Sequence, residues 1–171
     1  LLQLLTQALG QLASQANDSE QSAQLLALQP TAQQVAGLLG LSNAFTISIC
    51  LILARWWQAL LYNPGGFRAE FHRLRLAPVL TLVLLGIGLL LSSLGSEYRL
   101  WALVFAVPFV FAGFALIHGL AGQRQLSSNW IGIFYFCWLL FDPVKALVLV
   151  LAVVDSWFDI RGRLASSRSS E

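Results

Sequence analysis

Charge is the scarcest commodity in this sequence. Only 11% of its 171 residues are Asp, Glu, Lys or Arg, against roughly 25% in an ordinary soluble domain. The formal net charge is +2 and no basic stripe accompanies it, which excludes the nucleic-acid-binding class. Cysteine is limited to Cys50 and Cys137, both inside apolar stretches. Two thiols so placed read as small buried apolar residues, not as a disulfide or a metal site. No Gly-x-Ser-x-Gly, His-Glu-x-x-His or metal-spaced Cys pair occurs, so the elbow hydrolases and zinc peptidases have no foothold. A hydrolase working inside a bilayer needs paired carboxylates or a Ser/His set within the spans. Only Asp142 qualifies, because Glu70, Glu97, Asp155 and Asp159 fall at the edges. Neither an enzymatic role nor a cofactor is expected.

What the sequence holds in abundance is hydrocarbon: 57% of the residues are hydrophobic. Four apolar runs cover 35–62, 77–95, 100–121 and 130–154. Each approaches or exceeds the ~20 residues with which a helix crosses a bilayer core. Helices apolar on every side must be surrounded by other apolar matter. The expectation is an all-α, polytopic transmembrane helix bundle of four spans, in a multi-pass protein of the bacterial inner membrane. Its organisation is expected as a polar amphipathic segment at 1–34, a bundle at 35–158, and a polar, partly disordered tail at 159–171.

The segment 1–34 has no Lys or Arg, and Leu2, Leu5, Leu9, Leu12 and Ala16 recur at helical spacing. A helix over 1–16 is predicted. A second short helix begins at the Asp18/Gln21 capping box, and Thr31 with Gln34 repeats that signal before the first span. This arm serves either as a docking element for a partner or the bilayer surface, or as a solvated inter-helix loop. The chain begins at Leu1 without the basic leader of a signal peptide, so it is expected to belong to a longer or processed polypeptide.

Arg55-Trp56-Trp57 closes the first span as an aromatic belt with a snorkelling cation. The loop 63–76 follows. Arg68, His72 and Arg75 are predicted on one face of a short interfacial helix, with Phe67, Phe71 and Leu74 on another. Gly65 and Gly66 precede that helix, where free amides favour an anion. An anion or anionic lipid headgroup held by Gly65, Gly66, Arg68, His72 and Arg75 is one reading; a plain membrane-surface anchor is the other. Small residues recur at Ala102/Ala106 and Ala115/Gly119. Their spacing permits close helix contact with each other or with another membrane protein.

The fourth run is interrupted at its centre by Asp142-Pro143-x-Lys145. A charge at mid-bilayer costs ~2.5–3.5 kcal/mol on insertion scales and marks a candidate ligand, proton or ion site. Asp142 and Lys145 carry that reading, with His118 as a possible third member. Against it, residues three apart on a helix neutralise one another, Lys145 can snorkel, and His118 can sit at the interface. Cationic residues should mark the cytoplasmic side. Arg68, Arg73 and Arg75 put the loop 63–76 inside, yet four crossings then place Arg161, Arg163 and Arg168 outside. Either the rule fails at one end or the Pro143 segment does not simply cross.

The stretch Arg55-Trp56-Trp57-Gln58-Ala59-Leu60-Leu61-Tyr62-Asn63-Pro64-Gly65-Gly66-Phe67-Arg68, with Glu70-Phe71-His72 and Leu74-Arg75-Leu76, resembles the YybS-like family of bacterial membrane proteins. Asp155-Ser156-Trp157-Phe158-Asp159 with Arg161 and Arg163 is similar as well. The resemblance covers 50–163 and carries no catalytic or binding residue across. It implies additional spans on the N-terminal side and a membrane domain likened to the substrate-binding components of energy-coupling-factor vitamin transporters. From these features the chain is expected to be a non-enzymatic, transport-type or small-ligand-binding membrane component. The alternative is a structural or regulatory subunit of a larger membrane complex, docked through its small-residue faces or residues 1–34.

Overall fold

The computed structural model describes residues 2–15, 20 and 29–168, and throughout these the regular structure is helical. Helix α1 spans Leu2–Gln15, α2 Ala32–Tyr62, α3 Gly66–Phe71, α4 Pro78–Ser93, α5 Arg99–Gln123, α6 Ser128–Leu140, α7 Asp142–Phe158 and α8 Ile160–Arg168. A single 3-10 turn, Ser96–Tyr98, leads into α5. Two stretches, Ala32–Tyr62 and Ser96–Gln123, are long and apolar enough to cross a membrane, and α6 with α7 makes a third if that bent pair counts as one span. Helix α4 is apolar but shorter, at 16 residues.

Local chemistry explains the helix ends. Thr31 accepts from the Gln34 amide at 3.2 Å and Gln34 returns a bond to the Thr31 amide at 3.0 Å, the reciprocal cap expected of that pair. The Asp18/Gln21 capping signal lies outside the described residues. Gly65 turns the chain between α2 and α3 with φ +87°, a conformation that costs glycine nothing. Asp159 reverses the chain after α7 with φ +46°. Its carboxylate accepts from the Gly162 amide at the start of α8, which runs to Arg168 within the segment 159–171 expected as a polar, partly disordered tail.

The helices run in defined directions. Trp101 Nε1 donates to the Gln33 carbonyl at 3.1 Å, and further on Phe45 meets Phe111 at 6.0 Å between centroids. Helices α2 and α5 are therefore parallel. A methyl added at Gly37 would lie 2.8 Å from Leu100 Cβ, which shows how closely they approach. Helix α4 is antiparallel to α5: Gly88 lies beside Ala102 and Phe105, while Leu84 and Leu85 pack with Phe109 and Ala112. The chain leaves α2 at one end of the bundle and enters α5 at the other, so α4 carries it the full distance between.

The run 130–154 is not one straight rod. It breaks at Phe141, whose φ −113° and ψ 113° are extended, and the two halves are bent by 113°. Pro143 has no N–H to give the Leu139 carbonyl, and its ring crowds that position. At the start of a new helix a missing N–H is harmless and an acidic side chain is favourable. The sequence Asp142-Pro143 thus opens α7 at the bend between the two halves. Helix α6 begins a few residues after α5 ends and runs back along it, with Tyr135 beside His118 and Trp138 beside Phe114. Helix α7 then crosses α5 where Gly113 leaves room for Val148. After α7, Arg161 reaches Gln123 and the 72–74 segment. Both ends of the bent pair thus lie at the end of the bundle that bears the 63–76 loop.

Candidate functional site

Two neighbouring cavities occupy that end. The first, about 840 Å³, is lined by Ile49, Ile52 and Leu53 of α2, Phe67, Arg68 and Phe71 of α3, Phe111, Phe114 and His118 of α5, and Tyr135 of α6, among others. Aliphatic and aromatic side chains share its walls. Phe67 stacks on Phe71 at 5.7 Å, Phe71 meets the His118 ring edge-on at 5.8 Å, and Phe114 meets Tyr135 and Trp138 edge-on. The polar point among them is a 2.9 Å hydrogen bond between His118 Nε2 and the Tyr135 hydroxyl.

The second cavity, about 760 Å³, is a basic cleft lined by Arg68, Arg73, Arg75 and Arg161, with His72, Gln123 and Asp159. Four arginines and one carboxylate, Asp159, line it, and Arg161 is paired with the buried Asp155. Arg68, His72 and Gly122 line both spaces, so the aromatic cavity and the cleft share a wall. Gly122 lets the helix lie close to that wall: a methyl at that position would press on His72 Cε1 at 3.0 Å and touch Arg68 Nη2 at 3.7 Å.

Two ion pairs hold the loop in place. Arg55, at the end of α2, makes a two-pronged contact with Glu70, and that guanidinium holds the Glu70 carboxyl below the usual carboxylate range. On the other side Arg161 is buried and donates to the carbonyls of His72 and Leu74 and to Asp155 Oδ2. The second Asp155 oxygen accepts from the Ile160 amide at 2.9 Å. His72 sits half-buried between these elements. Burial pushes its pKa down, and the nearby charges of Arg68, His118 and Arg161 push it the same way.

The structure distributes the residues singled out in the sequence unevenly. Arg68, His72 and Arg75 do share one cleft, although not as a helical face: α3 stops at Phe71, and Arg75 lies beyond it in extended chain. Gly65 and Gly66 serve the turn instead. The Gly66 amide bonds to the Asn63 carbonyl at 2.9 Å, and a six-residue helix offers no sustained dipole. His118 lines the aromatic cavity, apart from Asp142 and Lys145. Asp142 does not face the bundle interior; its side chain is 90% exposed and paired with Lys145 at 2.7 Å. Cys50 is exposed and Cys137 half-buried, both as free thiols.

Sequence reasoning missed Tyr135, Asp155 and Arg161. Tyr135 is hidden in an unbroken apolar run, and Asp155 with Arg161 match no helical spacing until Asp159 reverses the chain. Comparison with family models, with curated proteins and with solved structures gives no match. The resemblance to the YybS-like family therefore rests on the quoted residues alone.

Proposed function

We propose that this chain is a non-enzymatic, small-ligand-binding component of the bacterial inner membrane, with its ligand seated in the aromatic cavity between α2, α3, α5 and α6. The observation that carries this reading is the cavity itself. Its volume lies within the ~300–1,000 Å³ of small-molecule sites, and its walls are apolar with a few convergent polar groups, as such sites require. A transport-type role is consistent with its place at one end of the bundle.

The same reading resolves the charge conflict. Three crossings by α2, α4 and α5, followed by a re-entrant α6–α7 pair, bring Arg161 and Arg163 to the side that already holds Arg68, Arg73 and Arg75. All five then face the cytoplasm, as the distribution of cations across membranes demands. Irregular backbone at Phe141 is tolerable within a bilayer where protein or water covers it.

The test is native mass spectrometry of the full chain released from detergent. A stoichiometric small-molecule adduct is expected, and Leu126→Trp, at an exposed residue that also lines the cavity, should fill it and remove the adduct. An adduct retained in that variant places the ligand elsewhere. A second reading, a subunit of a larger membrane complex, is favoured by the bare flank of α2, of whose most apolar window only 6% is buried within the chain. A stoichiometric protein partner recovered from native membranes would support it.

A further inference from the structure

We infer that the aromatic cavity and the arginine cleft are a single site for an amphiphile: a hydrocarbon chain in the cavity and a phosphate head in the cleft. This rests on the cavity being a ligand site and adds the chemical class of the ligand. Arg68, His72 and Gly122 line both spaces, so one layer of side chains is all that lies between them, and a displacement of Arg68 would join the two. Their chemistries are opposite. The cavity is walled by Phe, Leu and Ile and offers a chain only apolar contact apart from a few ring and amide polar atoms. Four arginines line the cleft; Arg161 is paired with Asp155 and Arg75 with Asp159, so Arg68 and Arg73 are the ones offered to an incoming head. A guanidinium presents a planar fork of donors that matches phosphate oxygens two at a time.

The arginines are not equivalent. Arg161 is fixed by Asp155 and by two backbone carbonyls, and Arg75 leans on Asp159 at 3.3 Å. Those two form the rigid floor. Arg68 is the residue common to both spaces and stands where head and chain join. Gly119 and Gly122 line the cleft from α5. A methyl on Gly119 would lie 3.1 Å from Arg161 Cδ and 3.2 Å from the His72 carbonyl oxygen, so the small residues keep the floor close to the helix. Gly119, read in the sequence with Ala115 as a helix-contact pair, thereby acquires a local purpose.

The experiment uses the full chain in detergent with three probes: oleoyl lysophosphatidic acid, oleoyl lysophosphatidylcholine and inorganic phosphate. Binding is read by native mass spectrometry and by competition. The phosphate monoester is expected to bind at least tenfold more tightly than the choline ester, and inorganic phosphate to compete only weakly. Arg68→Gln should weaken both amphiphiles, the dianionic monoester far more than the choline ester, and so remove that preference, and Leu126→Trp should weaken both alike. Equal binding of the two amphiphiles, or an Arg68→Gln variant that keeps the preference, overturns the phosphate assignment while leaving the cavity as a ligand site. Inorganic phosphate binding as tightly as the lipid, untouched by Leu126→Trp, makes the cleft a free-phosphate site and overturns the joint site. Failure of both amphiphiles to bind wild-type protein overturns the amphiphile site, and the cavity reading falls with it only if the native adduct is absent as well.

Discussion

Arg161 and Asp155 form a buried ion pair, with N–O at 2.7 Å and side chains only 8% and 3% exposed. It is the joint by which the end of α7 is fastened to the segment 72–74, and hence to the floor of the cleft. Removing one partner of such a pair leaves the other charged and uncompensated. Arg161→Met should therefore destabilise the protein by about 3–5 kcal/mol, read as thermal unfolding in detergent. Asp155→Leu added to it should recover most of the loss. A single variant as stable as wild type would mean that the joint opens to water.

The membrane arrangement is checked by cysteine labelling after Cys50 and Cys137 are replaced by Ala. Ala69→Cys and Leu164→Cys should both resist an impermeant reagent applied to intact cells, while Ser96→Cys at the opposite end of the bundle should react. Labelling of Leu164→Cys alongside a protected Ala69→Cys would turn the α6–α7 pair into a crossing.

At the bend, Asp142 and Lys145 make an exposed pair, and such pairs contribute no more than ~1 kcal/mol. The double change to Leu should leave folding and amphiphile binding unchanged in detergent. Loss of binding in that variant would return the pair to the list of ligand residues, contrary to its position outside both cavities.

His72 should make the protein sensitive to acid. Its pKa is lowered from 6.5 in the folded chain, first by burial and then by Arg68, His118 and Arg161. Below 6.5 the unfolded chain takes up a proton that the folded chain refuses, so stability present above that pH is lost as pH falls through the folded pKa. His72→Gln should flatten this slope in thermal unfolding. A phosphate in the cleft favours the protonated ring, so binding of the phosphate monoester should tighten on acidification in wild type and lose this dependence in the variant.

Gly113 tests the crossing of α5 and α7. A methyl there would lie 2.9 Å from the Val148 carbonyl oxygen as well as against its side chain. Gly113→Ala should cost about 1–3 kcal/mol, as overpacking commonly does. Val148→Ala relieves the side chain but not the carbonyl, so the pair should remain less stable than Val148→Ala alone in urea or thermal unfolding.

Membrane character, helical class and the Thr31/Gln34 cap were legible in the sequence because each depends on neighbours in the chain. Hydropathy is a property of a short window, and a cap joins residues three apart. The direction of each apolar run is not local. The run 130–154 has length enough for a crossing, yet Pro143 deprives a carbonyl of its donor and Phe141 becomes extended, so the chain folds back. Asp142, which as a mid-span charge would be the obvious functional residue, is thereby moved to the outside of an elbow. The site itself was half visible. Arg68, His72 and Arg75 lie within one loop, but Tyr135 and Arg161 reach it from distant elements, and Arg161 only because Asp159 adopts a left-handed turn. Apolar composition decided that this chain lies in a bilayer; side chains brought together by tertiary packing decided where the cavity and the arginine cleft lie, since the free energy of burying an ion pair or opening a cavity belongs to no single helix.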